Sequence, residues 1–204
     1  MTKLKKTKNE LKAQREALRR YHRFLPTLEL KKQQLQREVR RAEAALRERT
    51  AQEEALLRRL RPWVKLLSSP LDLGAYVRLE ALDQQTANVA GVTVPVLTGV
   101  RFAKPEIDYF ATPAWLEDAI AALRELTSIR AEQRALERQK ELLGEELRIT
   151  AQRVNLFEKV MIPRAEDNIR IIRIALGDAQ TAAVARAKLA KGKGADLLSG
   201  MAGA

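Results

Sequence analysis

Three groups of residues have side chains that could do chemistry: a glycine–lysine run, one histidine and many carboxylates. The run Lys191-Gly-Lys-Gly194 comes nearest to a phosphate-binding loop. That loop needs a glycine five residues before the Gly-Lys pair and a serine or threonine after it, and here Ala187 and Gly194 occupy those positions. We interpret the run as part of a flexible C-terminal tail.

His22 is the only histidine, and cysteine is absent. This composition excludes disulfides, thiolate nucleophiles, Cys-zinc sites and two-histidine metal motifs. His22 has no partner residues for catalysis, so we interpret it as a surface or seam residue. The glutamates follow helical periodicity beside Lys and Arg, which is typical of solvated intrahelical pairs. The sequence therefore predicts no enzyme, no cofactor-binding residue and no metal site.

Proline and glycine divide the 204 residues into four segments. Residues 1–61 contain one proline and no glycine, and residues 62–113 contain five prolines and three glycines. Residues 114–190 again contain one proline, and residues 191–204 contain four glycines. We predict an N-terminal coiled-coil helix (1–61), a connector (62–113), a C-terminal coiled-coil helix (114–190) and a flexible tail (191–204).

Apolar residues repeat in heptads along the first and third segments, the pattern of a left-handed coiled coil. Ile171 shares one heptad position with Ile129, Leu136, Leu143 and Phe157. The predicted coiled-coil seam consists of Leu11, Leu18, Leu25, Leu28, Leu35, Val39, Leu46, Leu56, Leu60, Leu126, Ile129, Leu136, Leu143, Leu147, Val154, Phe157 and Met161.

Two long helices joined by a short connector should fold back antiparallel, because neither can bury its apolar stripe alone. A register that places Leu28 opposite Phe157 also matches polar Glu53 with Gln133; a register seven residues away keeps much of the same pattern. Pro26 and Pro163 are predicted to bend the two helices. The predicted fold is dominated by α-helix: a long antiparallel two-helix coiled coil with a small connector.

The connector contains a β-branched run from Asn88 to Val100 that predicts a short β-hairpin. A short helix is predicted near Ala75–Leu82. The hairpin residues singled out are Val89, Gly91, Val92, Val94, Pro95 and Val96.

The net charge of +12 is concentrated at the N-terminus, since residues 1–61 hold 19 of the 38 basic and only 8 of the 26 acidic side chains. Such a segment could bind nucleic acid or an acidic protein. The first segment is poor in aromatic residues that could stack on bases, so we favour a solvated or protein-facing surface. No apolar run reaches the roughly 18 residues of a membrane span, and the N-terminus does not look like a secretion signal, so we predict no membrane insertion.

Five runs along the chain carry a family resemblance: Leu4–Lys8, Tyr21–Leu35, Asn88–Leu97, Arg153–Arg164 and Asn168–Ile172. They resemble the D subunit of the V/A-type ATPases. The run Arg153-Val-Asn-Leu-Phe-Glu-Lys-Val-Met-Ile-Pro-Arg164 is the most specific, and together the runs follow the family in order along the chain.

The resemblance implies a non-catalytic central-stalk rotor shaft in the cytoplasm, peripheral to the membrane as part of a membrane-bound complex. The implied partners are a hexamer of catalytic and regulatory subunits, a small F subunit that clasps the lower shaft, and a socket subunit on the membrane ring. Residues 61–73 would face the socket, and the strands at 89–100 would project from the lower shaft. The residues implied to face the hexamer are Lys3, Lys5, Lys6, Lys8, Lys12, Arg15, Arg164, Arg170 and Arg173.

Two other interpretations remain open at this stage. A prefoldin-like chaperone arm also has two helices joined by β-hairpin structure, although it needs apolar helix tips. A basic coiled-coil arm that binds nucleic acid is the second alternative.

Overall fold

The computed structural model describes residues 4–65, 71–108, 110 and 112–201, with side chains described up to residue 191. Along the chain, α1 (Lys8–Leu60) is followed by α2 (Leu73–Tyr76), β1 (Leu79–Val89) and β2 (Val92–Phe102). Next come α3 (Leu116–Leu156), a π-helical segment (Phe157–Met161) and α4 (Ile162–Met201). The predicted fold class, two long helical stretches flanking a hairpin and a short helix, is confirmed. None of the described helices is both long enough and apolar enough to cross a bilayer.

The chain divides into two compact units. The terminal unit contains residues Met1–Glu29 and Gln152–Ala204, and the hairpin unit contains Leu30–Ala151. These boundaries differ from the segments predicted from the sequence, because each unit pairs one part of α1 with the stretch of chain that returns beside it.

In the terminal unit, the first part of α1 runs antiparallel to the π-helical segment and α4. The Asn168 amide donates to the Gln14 side chain at 3.3 Å, and the rings of Tyr21 and Phe157 meet edge to face with centroids 5.4 Å apart. Phe157 thus contacts Tyr21, which lies seven positions before Leu28, the residue predicted to face Phe157. The helix start at Lys8 is capped by Thr7, whose hydroxyl accepts from the Glu10 amide at 3.3 Å.

In the hairpin unit, the remainder of α1 pairs with α3 around two apolar clusters. The first contains Leu56, Leu60, Ala122 and Ile129. The second joins helix residues Leu35 and Leu143 to Val94 of β2. Since Val94 is only 1% exposed, the hairpin contributes directly to the core of this unit.

The hairpin is longer than the sequence predicted. Strands β1 and β2 have 11 residues each and pair from Leu79 with Phe102 to Val89 with Val92. Ala90 and Gly91 form the turn with positive φ angles of 52° and 81°, as a two-residue hairpin turn requires. The helix predicted over Ala75–Leu82 is wrong in its extent, because α2 ends at Tyr76 and β1 begins at Leu79. The β-branched strand β2 needs a hydrogen-bonding partner, and pairing overrides the helical preference of residues 79–82.

The π-helical segment changes which face of the following helix is buried. The Ile162 amide donates to the carbonyl of Phe157, five residues back, so this turn holds one residue more than an α-helical turn. Pro163 follows immediately; it has no amide hydrogen, and its ring would crowd the carbonyl of Lys159 in a regular helix. The wider turn relieves that conflict.

The extra residue shifts the buried positions by one. In α4 the buried residues are Ile162, Ala165, Ile169 and Ile172. Ile171, which the heptad pattern placed in the seam, is 40% exposed, while Ile172 is fully buried. The heptad assignment of Ile171 was therefore wrong, since it assumed an uninterrupted α-helix.

Candidate functional site

The predicted seam residues lie on inward-facing positions of the helices. Leu35, Leu56, Leu60, Ile129, Leu143 and Val154 are buried, and the other eleven are half-buried. In the hairpin unit, Leu126 packs against the cluster around Leu56, and Val39 and Leu147 pack against the cluster around Leu35. The pairs of helices in each unit thus share an apolar strip.

A polar layer interrupts this strip at Glu53. Its carboxylate accepts hydrogen bonds from Arg130 Nε and from Gln133 Nε2, both at 2.8 Å. The predicted match of Glu53 with Gln133 is confirmed. The hydrogen bond from Arg130 and then that from Gln133 lower the pKa of Glu53, against the opposing effect of its burial. This layer favours one helix register, because any slip would leave the half-buried carboxylate without its donors.

Ion pairs between opposite helices flank the strip in the hairpin unit. They join Lys31 to Glu146, Glu43 to Lys140 at 3.5 Å, Arg49 to Glu132 at 2.6 Å, Glu53 to Arg130 at 2.8 Å, and Arg59 to Glu125 at 2.6 Å. Each such pair is worth about 0–1 kcal/mol at a solvated site. Their regular succession along α1 nevertheless ties the two helices together over this whole unit.

The terminal unit has a different charge pattern. Among its described residues, the ion pairs are Lys12 with Glu16 and Arg170 with Asp167, and both lie within one helix. The residues implied to face a hexamer are exposed at positions 5, 6, 8, 12, 15, 164, 170 and 173, and Lys3 lies outside the described residues. This unit therefore presents cations for which the described residues form no ion pair across the helix pair.

A groove between α1 and α4 gathers several of these cations. Its volume is about 880 Å³. Arg15 and Arg19 line it from α1, and Arg170 and Arg173 line it from α4. The other lining residues are Leu18, Glu166, Ile169 and Ile174. The sequence analysis singled out Arg15, Arg170 and Arg173 but missed Arg19, although Arg19 lies one helical turn after Arg15 and should share its face.

The last part of α4 has no packing partner within the described chain. Every described side chain from Gly177 to Lys191 is exposed, including Val184 at 56% and Leu189 at 68%. Many of these residues are alanines, which favour helix without needing tertiary contacts. A helix with this composition can stay folded as a slim extension.

The chain resembles known proteins over nearly its full length. The family of ATP synthase D subunits matches residues 10–192. The V-type ATP synthase D subunit of Borreliella burgdorferi is 40% identical, with 94% of this chain and 95% of that protein covered. The proteins of the same name from Chlamydia trachomatis and Chlamydia muridarum are 36% and 38% identical, again over 93% of this chain and 95% of theirs. The chain belongs to the family of ATP synthase D subunits.

The hairpin of this chain packs against its helices. Val89, Val92, Pro95 and Val96 are half-buried, Gly91 is exposed at the turn, and Val94 is buried. Gln139 of α3 donates to the Pro95 carbonyl at 2.7 Å. The strands therefore lie along α1 and α3 and do not project from them, contrary to the expectation.

The two tryptophans lie at the end of the hairpin unit where α1 leads into the connector and the connector leads into α3. Trp63 and Trp115 line a groove of about 380 Å³ together with Arg59, Asp118 and Glu125. Phe110, nearby in sequence, is fully exposed. Of the region 61–73 implied to face a socket, residues 66–70 lie outside the described part of the chain.

The described residues contain no group of three or more Asp, Glu, His or Cys side chains placed to hold a metal ion. His22 is exposed. Pro26 lies inside α1, and Pro163 lies at the second residue of α4. The bends predicted at these two prolines stay a prediction.

Proposed function

We propose that this chain is the central rotor shaft of a V/A-type rotary ATPase and that it is not itself catalytic. It would transmit torque between the hexamer that hydrolyses or makes ATP and the membrane ring that moves ions. The observation that carries the proposal is the antiparallel pairing of α1 with the returning helix in each unit, in a chain that belongs to the family of D subunits. Two helices held along a shared strip resist twisting better than one helix does.

The hairpin unit has the features that torque transmission needs. The polar layer at Glu53 lies between the apolar clusters around Leu35 and Leu56 along α1, and ion pairs join the two helices on their exposed sides. Twisting one helix against the other would break several of these contacts at once. Their combined resistance supports this unit as the part of the shaft that carries load.

The terminal unit has the features of an end that turns inside a hexamer. Its exposed Lys and Arg side chains would meet carboxylates on successive subunits, each contact being worth about 0–1 kcal/mol in solvent. Weak, repeated contacts allow turning, whereas strong ones would hold the shaft in one position. The exposed end of α4 carries mostly small alanine side chains, which would let it turn within such a ring.

The remaining partners in this proposal are those that the family resemblance implies. The clasping F subunit would bind the hairpin unit, and the socket subunit would meet the connector end near Trp63 and the exposed Phe110. Aromatic side chains are enriched at protein–protein interfaces, so Phe110 and Trp63 would give such a partner apolar contacts. The assembled complex would lie on the cytoplasmic side of the membrane.

The test is to disrupt the helix pair in the assembled, reconstituted complex. Leu28→Asp with Phe157→Asp places two charges on the strip and should uncouple ATP hydrolysis from ion transport. Leu30→Asp with Leu156→Asp is the matched control, because both leucines are exposed at 59% and 47%. Ions transported per ATP hydrolysed should fall for the first pair and stay constant for the second. Unchanged coupling in an assembled complex that carries the first pair would contradict the proposal.

A further inference from the structure

Two hydrogen bonds tie the second strand of the hairpin and the residue after it to α3. Arg124 donates to the carbonyl of Ala103 at 2.8 Å, and Gln139 donates to the carbonyl of Pro95 at 2.7 Å. The two acceptors are separated by about 26 Å of strand and the two donors by about 22 Å of helix. Because these lengths nearly match, β2 lies alongside α3 and runs in the opposite direction.

The turn end of the hairpin contacts both helices. Val94 is 1% exposed and belongs to one apolar cluster with Leu35 of α1 and Leu143 of α3. Val39 of α1 and Leu147 of α3 pack against the same cluster. Among the described residues, the hydrogen bonds between the hairpin and the long helices involve α3, whereas Val94 contacts α1 as well.

The hairpin depends on the helices for its own order. A two-stranded hairpin is only marginally stable in water when nothing covers one of its faces. Release of this hairpin from α3 would bring the buried Val94 side chain into water and loosen the strand pairing. The exchange of the amide hydrogens that join β1 to β2 therefore reports how often the hairpin leaves the helices.

Torque on a pair of helices makes one helix slide along the other as the pair winds or unwinds. The ion pairs between α1 and α3 have partly exposed side chains, which can follow a small shift. Val94 cannot follow both helices, because a shift of Leu35 past Leu143 would open a cavity in a close-packed cluster. Gln139 and Arg124 hold the strand against α3, so Val94 moves with α3 and opposes the sliding of α1.

We propose that the hairpin is a brace that keeps α1 from sliding along α3 when the shaft is under torque, and that Gln139 positions it. This inference rests on the proposed function. The acceptor of the Gln139 amide is Pro95, the residue next to Val94, so this bond fixes the strand where it contacts both helices. The brace needs no partner subunit, since its contacts lie within this chain; exposed polar residues such as Gln85 and Thr86 stay available on the hairpin.

The first experiment measures hydrogen exchange in the full-length chain. Gln139→Leu removes the donor and keeps a side chain of similar size, so the amides that pair β1 with β2 should exchange about fivefold faster, as expected for the loss of one hydrogen bond. Gln85→Leu is the matched control, because Gln85 is an exposed residue of β1, and the same amides should change by less than about twofold. Equal exchange in Gln139→Leu and the unchanged chain would overturn the role of Gln139.

The second experiment measures coupling under load in the reconstituted complex. Gln139→Cys with Val96→Cys replaces two residues that line the same groove, in a chain with no other cysteine. A short crosslinker that a reducing agent cleaves joins the two positions before assembly. The crosslinked complex should keep its number of ions transported per ATP up to the same opposing ion gradient as the unchanged complex. After cleavage, that number should fall at a smaller gradient, whereas the unchanged complex treated with the same reducing agent should not change.

The possible outcomes separate the brace from the proposed function. If the complex with the unchanged chain hydrolyses ATP without moving ions, the proposed function itself fails. If that complex is coupled and cleavage of the crosslink leaves coupling under load intact, only the brace fails. Cleavage should also leave the subunit content of the complex unchanged, and loss of a subunit on cleavage would assign the hairpin to partner binding and overturn the brace.

Discussion

The polar layer at Glu53 allows one prediction to be worked out in detail. Glu53→Ala removes the acceptor of the hydrogen bonds from Arg130 and Gln133, both 2.8 Å long. The Arg130 side chain is 56% exposed and can hydrogen-bond to water once the carboxylate is gone. Its bond to Glu53 therefore contributes about 0.5 kcal/mol to stability, within the range of exposed ion pairs. The bond from the half-buried Gln133 contributes about 1 kcal/mol. We therefore expect a loss of about 1.5 kcal/mol in the free energy of unfolding.

The assay is urea unfolding of the purified chain, followed by circular dichroism. Glu54→Ala is the matched control, because Glu54 is the next residue along α1, is exposed and, among the described residues, accepts no hydrogen bond from the opposite helix. We expect its free energy of unfolding to change by less than about 0.5 kcal/mol. A double-mutant cycle of Glu53→Ala with Arg130→Ala should give a coupling energy of about 0.5 kcal/mol.

The contribution of Glu53 should also depend on pH. The pKa of its carboxyl in the folded chain lies below the ordinary value of 4.5, so at mildly acidic pH the unfolded chain binds a proton that the folded chain does not. The stabilisation is therefore complete above pH 4.5 and is lost as the pH falls through the lowered folded value. The difference in the free energy of unfolding between the unchanged chain and Glu53→Gln should shrink as the pH falls over that range.

Two results would refute this reasoning. Glu53→Ala and Glu54→Ala could prove equally stable at neutral pH, or the difference for Glu53→Gln could persist unchanged to strongly acidic pH. Either result would mean that the layer does not hold the two helices in register through the charge of Glu53.

Three further predictions concern packing. Leu35→Ala should cost about 2–5 kcal/mol in the urea-unfolding free energy, because Leu35 is fully buried between the helices and the hairpin. Thr150→Val should raise that free energy by about 1 kcal/mol, since the buried Thr150 hydroxyl has no hydrogen-bond partner among the described residues; a loss of stability would contradict this. Ile172→Asp should disrupt the terminal unit while Ile171→Asp is tolerated, as measured by protease protection of α4, and the reverse order would refute the shift produced by the π-helical segment.

Heptad periodicity predicted the long helices and their inward faces because it is a local property of the sequence. The turn at Gly91 was also predictable, since a two-residue hairpin turn needs positive φ there. Strand β1 was not, because residues 79–82 carry no β-branched pattern and become a strand only by pairing with β2. The cross-helix ion pairs likewise depend on which turn of α1 faces which turn of α3.

The arginine groove also has some features that the sequence reveals and others that only the structure reveals. The sequence identified the excess positive charge of residues 1–61, and the family resemblance implied exposed roles for three of the four arginines that line the groove. It did not reveal which arginines lack a carboxylate opposite, because that depends on the register of the helix pair. It also did not reveal that Ile174 lies at the rim, because that depends on the helical phase after the π-helical segment.

The sequence alone therefore determined that this chain forms two long amphipathic helical stretches around a hairpin, and that its positive charge is concentrated at one end. Heptad repeats and the placement of proline and glycine determine local secondary structure over a few residues, so their effects can be predicted without a structure. Only the tertiary structure decided the phase of α4 and the pairing of charges. One inserted residue rotates every later side chain by about 100° around the helix, and only packing against the partner helix determines where that residue is accommodated.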